Sequence, residues 1–461
     1  MSLDKEDPSI IKSIEKSKSD KFDCLIKILP NGLKALLVSD PETEKSSAAL
    51  GVNVGSLTDK PDELGLAHFC EHLLFMGTEK YPIENDYEDY LSKNGGSYNA
   101  YTGTEKTVYY FEIDNKAFEG GLDRFAQFFI SPKFNEGSVE REINAINSEF
   151  SKNINNDIWR LSMLFKSSLN PQSPFSQFTT GNLQTLAHPD IRERLLKMYN
   201  KYYSSEIMNL CIYSNMDLNT QINLVEKLFK DVPKRENFEM PCYDKVKPYD
   251  ENNLAKFYKI IPVKEEDQII FQWIMPFCSN YNAKPLKYLS SLFGHEGPNT
   301  LTACLKRENL INNLSTSTQD FVNVFSVFTI DIALTKKGFD NYKEVINIVL
   351  KYVDTIKNKE LCDRYFEEVR NIGQIEFDFR NKQKARDFAK NHVTYLMLYK
   401  PEEVFTGLSL YKEYNKDLIK KYLDMFNLNN LYICFLSKSL EKECDLTEKY
   451  YGTKYPVEKL N

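Results

Sequence analysis

Two histidines four residues apart, with a glutamate just before the second, stand in the segment His68-Phe69-Cys70-Glu71-His72. The run from Leu66 to Met76 around them holds good helix formers and no Pro or Gly. Residues four apart share one face of a helix, their Cβ atoms roughly 5–6 Å apart. Both imidazoles can therefore reach one metal ion. Glu71 lies near the same face, close enough to touch a water at the metal without ligating the metal itself. Cys70 points away from that face. A lone histidine on an apolar helix is ordinarily a hydrogen-bonded core residue. Here only five histidines occur in the chain, and two of them have this spacing around an acid. Two imidazoles and a carboxylate among Phe69, Leu73, Leu74 and Phe75 are costly to bury unless something pairs with them. A zinc ion would.

A catalytic zinc needs three protein ligands and one open position. The acid-rich run Glu140–Glu149 supplies Glu142 and Glu149, seven residues apart and so on one helical face. Alone, such a pair reads as a solvated surface. Next to the histidine pair it is a source of ligands. His188, His295 and His392 have no ligand-spaced partners and read as structural or surface residues.

The chain's length and composition bound what surrounds this helix. With 461 residues the chain exceeds one ordinary core. It is 42 % hydrophobic and 27 % charged, a globular balance, and its net charge of −7 gives no basic footprint for nucleic acid. Nine cysteines, scattered without CxxC pairs, argue for a reducing compartment rather than a disulfide framework. The acidic start Met1–Asp7 has no apolar signal core, and no apolar run approaches the ~20 residues that cross a bilayer. These features predict a cytoplasmic protein with no membrane association.

The order of elements repeats. Residues 1–22 form a charged arm, expected to be loosely held. A hairpin follows, Cys24–Leu29 and Leu33–Val38 about Pro30-Asn31-Gly32, then a strand, the histidine helix, a second helix, a strand pair within Tyr98–Ile113, helices and a strand near Asn209–Tyr213. Residues 231–254, polar with three prolines, read as a linker. The pattern then restarts: strands, a helix pair, a long β run over Asn312–Leu334, helices including one expected across Glu402–Phe426, and a last strand at Leu431–Ser437. The spacing predicts an α+β fold of two homologous domains, each a mostly antiparallel sheet packed with helices. Their expected limits are 23–240 for the zinc-binding domain and 241–461 for its inactive counterpart. The second copy's equivalent helix, beginning at Lys284, lacks the ligand pair.

From Pro30-Asn31-Gly32-Leu33 to Tyr450-Tyr451-Gly452-Thr453 the chain resembles the amino-terminal half of the insulysin family, metalloproteases of the inverted HxxEH (inverzincin) order. In that family a glutamate ligand follows the second histidine after 76 intervening residues, within an E-x6-E helix. The count leads to Glu149. The resemblance therefore implies His68, His72 and Glu149 as zinc ligands, Glu71 as general base, and Glu142 as the acid that orients a ligating histidine. The chemistry it implies is zinc-assisted hydrolysis of short or unfolded peptides. Ser97–Thr102 matches an edge strand that pairs with substrate backbone, which makes Asn99, Ala100 and Tyr101 substrate contacts. Asn156–Arg160 and Phe178–Asn182 match as well. Gly294-His295-Glu296-Gly297-Pro298 matches an exosite for the substrate's amino terminus, with Gly294 and Glu296 as its contacts; an ordinary inter-helix turn accounts for that segment equally well. The family's Gly-rich exosite strand reads Leu314–Thr318 here, and Thr316 and Ser317 place Cβ atoms where a backbone would approach. Single-chain members of the family carry two such halves. The second half supplies an Arg and a Tyr for substrate and oxyanion, so the resemblance implies a carboxy-terminal half, a second subunit or self-association as partner. Two other readings stand beside it: a peptide-binding or regulatory half-molecule inactive on its own, and a mitochondrial-processing-type peptidase subunit. The acidic arm and the HEGP segment speak against the latter.

Overall fold

The structure, a computed structural model, describes residues 7–236, 238–250 and 252–460. These fall into two compact units. The first gathers the residues up to 150 with 179–241 and 374–409, and the second gathers 151–178, 242–373 and the residues from 410 onward. A single cut near 240 does not separate them. The helix Asp157–Ser168 belongs with the second unit and the helix Ala385–Leu398 with the first. Sequence order cannot reveal such exchanges, because an amphipathic helix presents an apolar stripe that either sheet could bury.

The first unit is built on a seven-stranded sheet: β1 Ile10–Ile11, β2 Asp23–Ile28, β3 Lys34–Ser39, β4 Lys45–Val52, β5 Ser97–Thr102, β6 Thr107–Asp114 and β7 Met208–Ser214. The order is β1-β2-β3-β7-β4-β6-β5, with β3 and β7 parallel and the other pairs antiparallel. Asn31 and Gly32 turn the first hairpin. The unit's helices include α1 Leu66–Leu74, α2 Asp86–Lys93, α3 Phe118–Ile130 and α4 Glu136–Asn153. Phe69 and Leu73 of α1 enter a core shared with Phe111, Phe118, Phe125 and Phe129. Each such side chain stabilises the fold by roughly 1.5–3 kcal/mol on full burial. That packing fixes the rotation of α1 and hence the direction of its polar face. Helix Ala385–Leu398 lies against β4, β6 and β7.

The second unit repeats the path. Its strands are β8 Lys256–Ile260, β9 Gln268–Pro276, β10 Ile311–Phe321, β11 Phe325–Leu334 and β12 Leu431–Leu436, with Val457–Lys459 paired outside β8. The order β8-β12-β9-β11-β10 reproduces β3-β7-β4-β6-β5, and β8 and β12 form the matching parallel pair. The helix Pro285–Phe293 stands where α1 stands in the first unit, and carries Tyr288 and Leu289 into its own core.

Two expectations need correction. The arm is not loose over its described part. Ile10 and Ile11 pair with Lys27 and Ile26 at the sheet edge, the Ser19 hydroxyl donates to the Asp378 carbonyl at 2.6 Å, and Asp20 pairs with Arg380 at 2.5 Å. Two adjacent isoleucines in a charged stretch were the available signal. Residues 1–6 lie outside the described residues. Nor is Glu402–Phe426 one helix. A 3-10 turn at Pro401–Glu403 leads into irregular chain, and helix resumes only over Lys416–Asp424. Gly407 explains the break: a Cβ there would lie 2.4 Å from Cγ of the Tyr399 ring, so the chain runs directly against that ring.

Candidate metal centre

Helix α1 starts under two constraints. The Asp59 carboxylate accepts the backbone N–H groups of Gly65 at 2.8 Å and Ala67 at 2.9 Å, capping donors that the first turn leaves unpaired. Gly65 itself has φ +92, and a Cβ on it would lie 2.3 Å from the Cα of Gly181, which is also left-handed at φ +81. Two glycines thus let the 180 loop press on the helix start. That contact brings the Thr180 carbonyl to 2.7 Å from His68 Nδ1.

A carbonyl can only accept, so His68 carries its proton on Nδ1 and turns a bare Nε2 outward. His72 is arranged alike, its Nδ1 lying 3.2 Å from Glu142 Oε2. The two rings stand 4.8 Å apart and nearly perpendicular. Their Nε2 atoms converge on one oxygen of Glu149, at 3.6 Å from His68 and 3.9 Å from His72. One ligand atom from each of His68, His72 and Glu149 lies within 4.8 Å of the others, a spacing that could hold one metal ion.

Helix α4 brings both glutamates because positions 142 and 149 share a face. Ile143, Ile146 and Phe150 anchor the helix in the interior. Glu142 is buried, while the Glu149 side chain is 42 % exposed, so the ligand position opens toward solvent.

Glu71 is buried beside this cluster. Thr102, the last residue of β5, donates its hydroxyl to Glu71 Oε2 at 2.5 Å. Burial pushes the Glu71 carboxyl above the usual carboxylate range, opposed by the neighbouring His68 and His72 imidazoles and by the Thr102 bond. Burial works in the other direction on His72, but the Glu142 bond and the acids around it outweigh burial and raise its pKa.

The remaining expected residues land as follows. Asn99, Ala100 and Tyr101 lie on β5, which pairs only with β6, so among the described residues its outer edge has no strand partner. That edge ends at Thr102, in contact with Glu71. The Asn99 side chain accepts the Ala100 N–H at 2.8 Å, and the Tyr101 hydroxyl sits 3.4 Å from that of Thr394. In the second unit, Gly294 ends the helix Pro285–Phe293, with its N–H on the Ser290 carbonyl. A Cβ on Gly294 would meet the Thr316 hydroxyl at 2.6 Å. Thr316 in turn donates to the Ser290 carbonyl at 2.7 Å, so its side chain ties β10 to this helix end. Glu296 is exposed, 4.0 Å from Lys306 Nζ. Cys70 is fully buried in the core. The roles of Asp59, Thr180 and Thr102 lie beyond the sequence reading, although Thr102 and Thr180 fall within the stretches Ser97–Thr102 and Phe178–Asn182 that match the family.

Three descriptions of one peptidase family match successive parts of the chain. Residues 34–172 match the family described as Insulinase (Peptidase family M16), residues 190–372 the Peptidase M16 inactive domain, and residues 377–461 the middle or third domain of that peptidase. The chain belongs to the M16 peptidase family. It is 40 % identical to the insulin-degrading enzyme of Homo sapiens over 97 % of its own length and 44 % of that protein's. It is 39 % identical to the A-factor-processing enzyme of Saccharomyces cerevisiae, over 93 % of this chain and 42 % of that one. Pitrilysin superposes with a TM-score of 0.93 at 28 % identity, covering 97 % of this chain and 48 % of pitrilysin. The first half of the Escherichia coli protease PqqL shares the fold, with a TM-score of 0.75 at 16 % identity over 95 % of this chain and 96 % of that one. The chain spans about half the length of the curated M16 relatives it matches.

The donor set fits a zinc ion. Two imidazoles turn their Nε2 atoms to the ligand position, a carboxylate completes three ligands, and both Nδ1 atoms are already engaged by acceptors, the outer support such ligands need. Among the described residues no helix is long and apolar enough to cross a membrane.

Proposed function

We propose that this chain is the catalytic half of a zinc metalloendopeptidase that hydrolyses short or unfolded peptides. The observation that carries the reading is the convergence of His68 Nε2, His72 Nε2 and Glu149 Oε2, with Glu71 alongside. When bound there, zinc supplies Lewis acidity to a peptide carbonyl and to the attacking water. The chain's own residues do the rest. Glu71 takes the proton of that water and passes it to the leaving amine. Thr102 holds the Glu71 carboxylate toward the cluster. The free edge of β5 receives an extended peptide by main-chain hydrogen bonds, which tolerate varied side chains. The M16 peptidase family, and relatives whose names speak of degrading insulin and processing A-factor, support a peptide substrate. Nine free thiols suit the reducing, cytoplasmic setting expected from sequence.

The proposed partner is a carboxy-terminal half that supplies oxyanion and substrate-positioning groups, since the relatives are about twice as long. The same observation favours a second reading, in which the chain binds peptides but turns them over only when complemented. Metal analysis joined to a quenched-peptide assay tests the proposal. Stoichiometric zinc, with cleavage that a chelator abolishes and zinc restores, supports it. Cleavage that survives complete zinc removal overturns it.

A further inference from the structure

The first unit contains a cavity of about 240 Å³ that shares no residue with the metal centre. It opens between residues 19–22, the ends of β3 and β7, and the segment 380–392. Its volume is far above the ~10–15 Å³ that admits a water and just under the roughly 300–1,000 Å³ of sites for drug-sized ligands. One amino-acid-sized molecule is the matching scale.

The inner wall is aromatic. Phe22, Tyr213, Phe388 and His392 line it and pack on one another, with His392 stacked on Phe388 at 3.9 Å and Tyr213 at 4.6 Å from the same ring. His392 is 1 % exposed. Its Nδ1 donates to the Phe388 carbonyl at 2.8 Å, which leaves Nε2 as a bare acceptor with no partner among the described residues. Burial, together with the Arg380 charge, holds this imidazole down to about 3 against the pull of the Phe388 carbonyl, so the ring is neutral at physiological pH.

The mouth carries both signs of charge. Asp20 pairs with Arg380 at 2.5 Å, and Asp40 pairs with Lys382 at 2.7 Å while accepting from the Tyr213 hydroxyl. Lys21 and Glu42 add one charge of each sign. A purely anionic or cationic ligand would meet as much repulsion as attraction there. A zwitterion meets a carboxylate for its ammonium and a guanidinium or ammonium for its carboxylate. The unpartnered Nε2 asks for a donor at the far end of the ligand's ring.

We propose that this cavity binds a free aromatic α-amino acid with a ring donor, tyrosine or tryptophan. The ring lies against Phe22 and Phe388 and donates to His392 Nε2. The ammonium sits between Asp20 and Asp40, and the carboxylate between Arg380 and Lys382.

The test is calorimetric titration of the full, zinc-free chain with L-tyrosine, then with N-acetyl-L-tyrosine and L-tyrosinamide, each lacking one charge. Because free amino acids also chelate zinc, the titrations are repeated on His68→Ala. The expected result is saturable binding of L-tyrosine, kept in His68→Ala and weakened about tenfold or more by either cap. Lys382→Met, at a half-exposed side chain that the core does not need, should weaken L-tyrosine by a similar factor and leave N-acetyl-L-tyrosinamide unaffected. His392→Phe should bring tyrosine down to the affinity of phenylalanine. Absence of saturable binding, indifference to both caps and to Lys382→Met, or loss of binding in His68→Ala would each overturn the proposal.

Discussion

Glu142 on α4 accepts the Nδ1 proton of His72 on α1 at 3.2 Å, and by doing so aims His72 Nε2 at Glu149. One buried carboxylate, seven residues from the candidate ligand Glu149 on its own helix, therefore sets the tautomer and the direction of His72 on another helix. Outer partners of this kind typically hold 10–100-fold in metal affinity. Glu142→Ala should weaken zinc binding by about that factor, and Glu142→Gln, which still accepts through its carbonyl oxygen, by less. Competition with a chromophoric chelator measures both. Equal affinity of Glu142→Ala and the parent would show that His72 needs no support.

Glu71 contacts Thr102 and the histidines but is not part of the three-ligand convergence. Glu71→Gln should keep stoichiometric zinc. Peptide cleavage should fall by about 10²–10⁴, the usual worth of a general base. Atomic absorption and a fluorogenic assay on the same preparation separate the two effects. A variant that loses zinc would make Glu71 a ligand, and one that cleaves at the parental rate would remove it from the chemistry.

The site was legible in unequal parts. The histidine pair and Glu71 could be read from spacing alone, because one helix carries all three. Glu149 comes from a second helix 77 residues further on; spacing offered only an acid pair on a helix, and the family resemblance selected it. Thr180 was out of reach. It acts through a main-chain carbonyl, which any residue has, and what places it is the Gly65–Gly181 contact. The repeated sheet was legible because β strands and helices recur in one order, whereas the exchange of helices Asp157–Ser168 and Ala385–Leu398 between units was not. Helix polarity says that a face is buried, not against which sheet.

His392 gives a pH dependence of known sign. Folded, it is buried and neutral with its pKa held to about 3, and the charged Arg380, Asp20, Asp40 and Lys382 line the same cavity. Unfolded, it titrates near 6.5. Below about pH 6.5 the unfolded chain takes up a proton that the folded chain refuses, so this contribution to stability is complete above that pH and is lost as pH falls toward 3. The slope is about 1.4 kcal/mol per pH unit within that window. Urea unfolding between about pH 7 and 5 should therefore show a shallower decline for His392→Phe than for the parent. Parallel curves would mean that His392 takes up its proton as readily in the folded chain as in the unfolded one.

The chain alone should turn peptides over slowly. Loss of one oxyanion donor typically costs about 10²–10³ in rate. Adding a separately produced carboxy-terminal half, taken from a full-length relative, should raise kcat as well as lower KM. Steady-state kinetics with and without that half decide it. An isolated chain as fast as the assembled pair would show that these two units suffice.

The ligand set itself can be read with zinc K-edge X-ray absorption on the zinc-loaded chain. Two imidazole nitrogens at about 2.0–2.1 Å, oxygen donors at about 2.0–2.2 Å and no sulfur are expected. One imidazole should be lost from the spectrum in His68→Ala or His72→Ala, and none in His392→Phe. A sulfur shell near 2.3 Å, which would bring in one of the nine cysteines, or a spectrum unchanged in His68→Ala and His72→Ala, would contradict that ligand set.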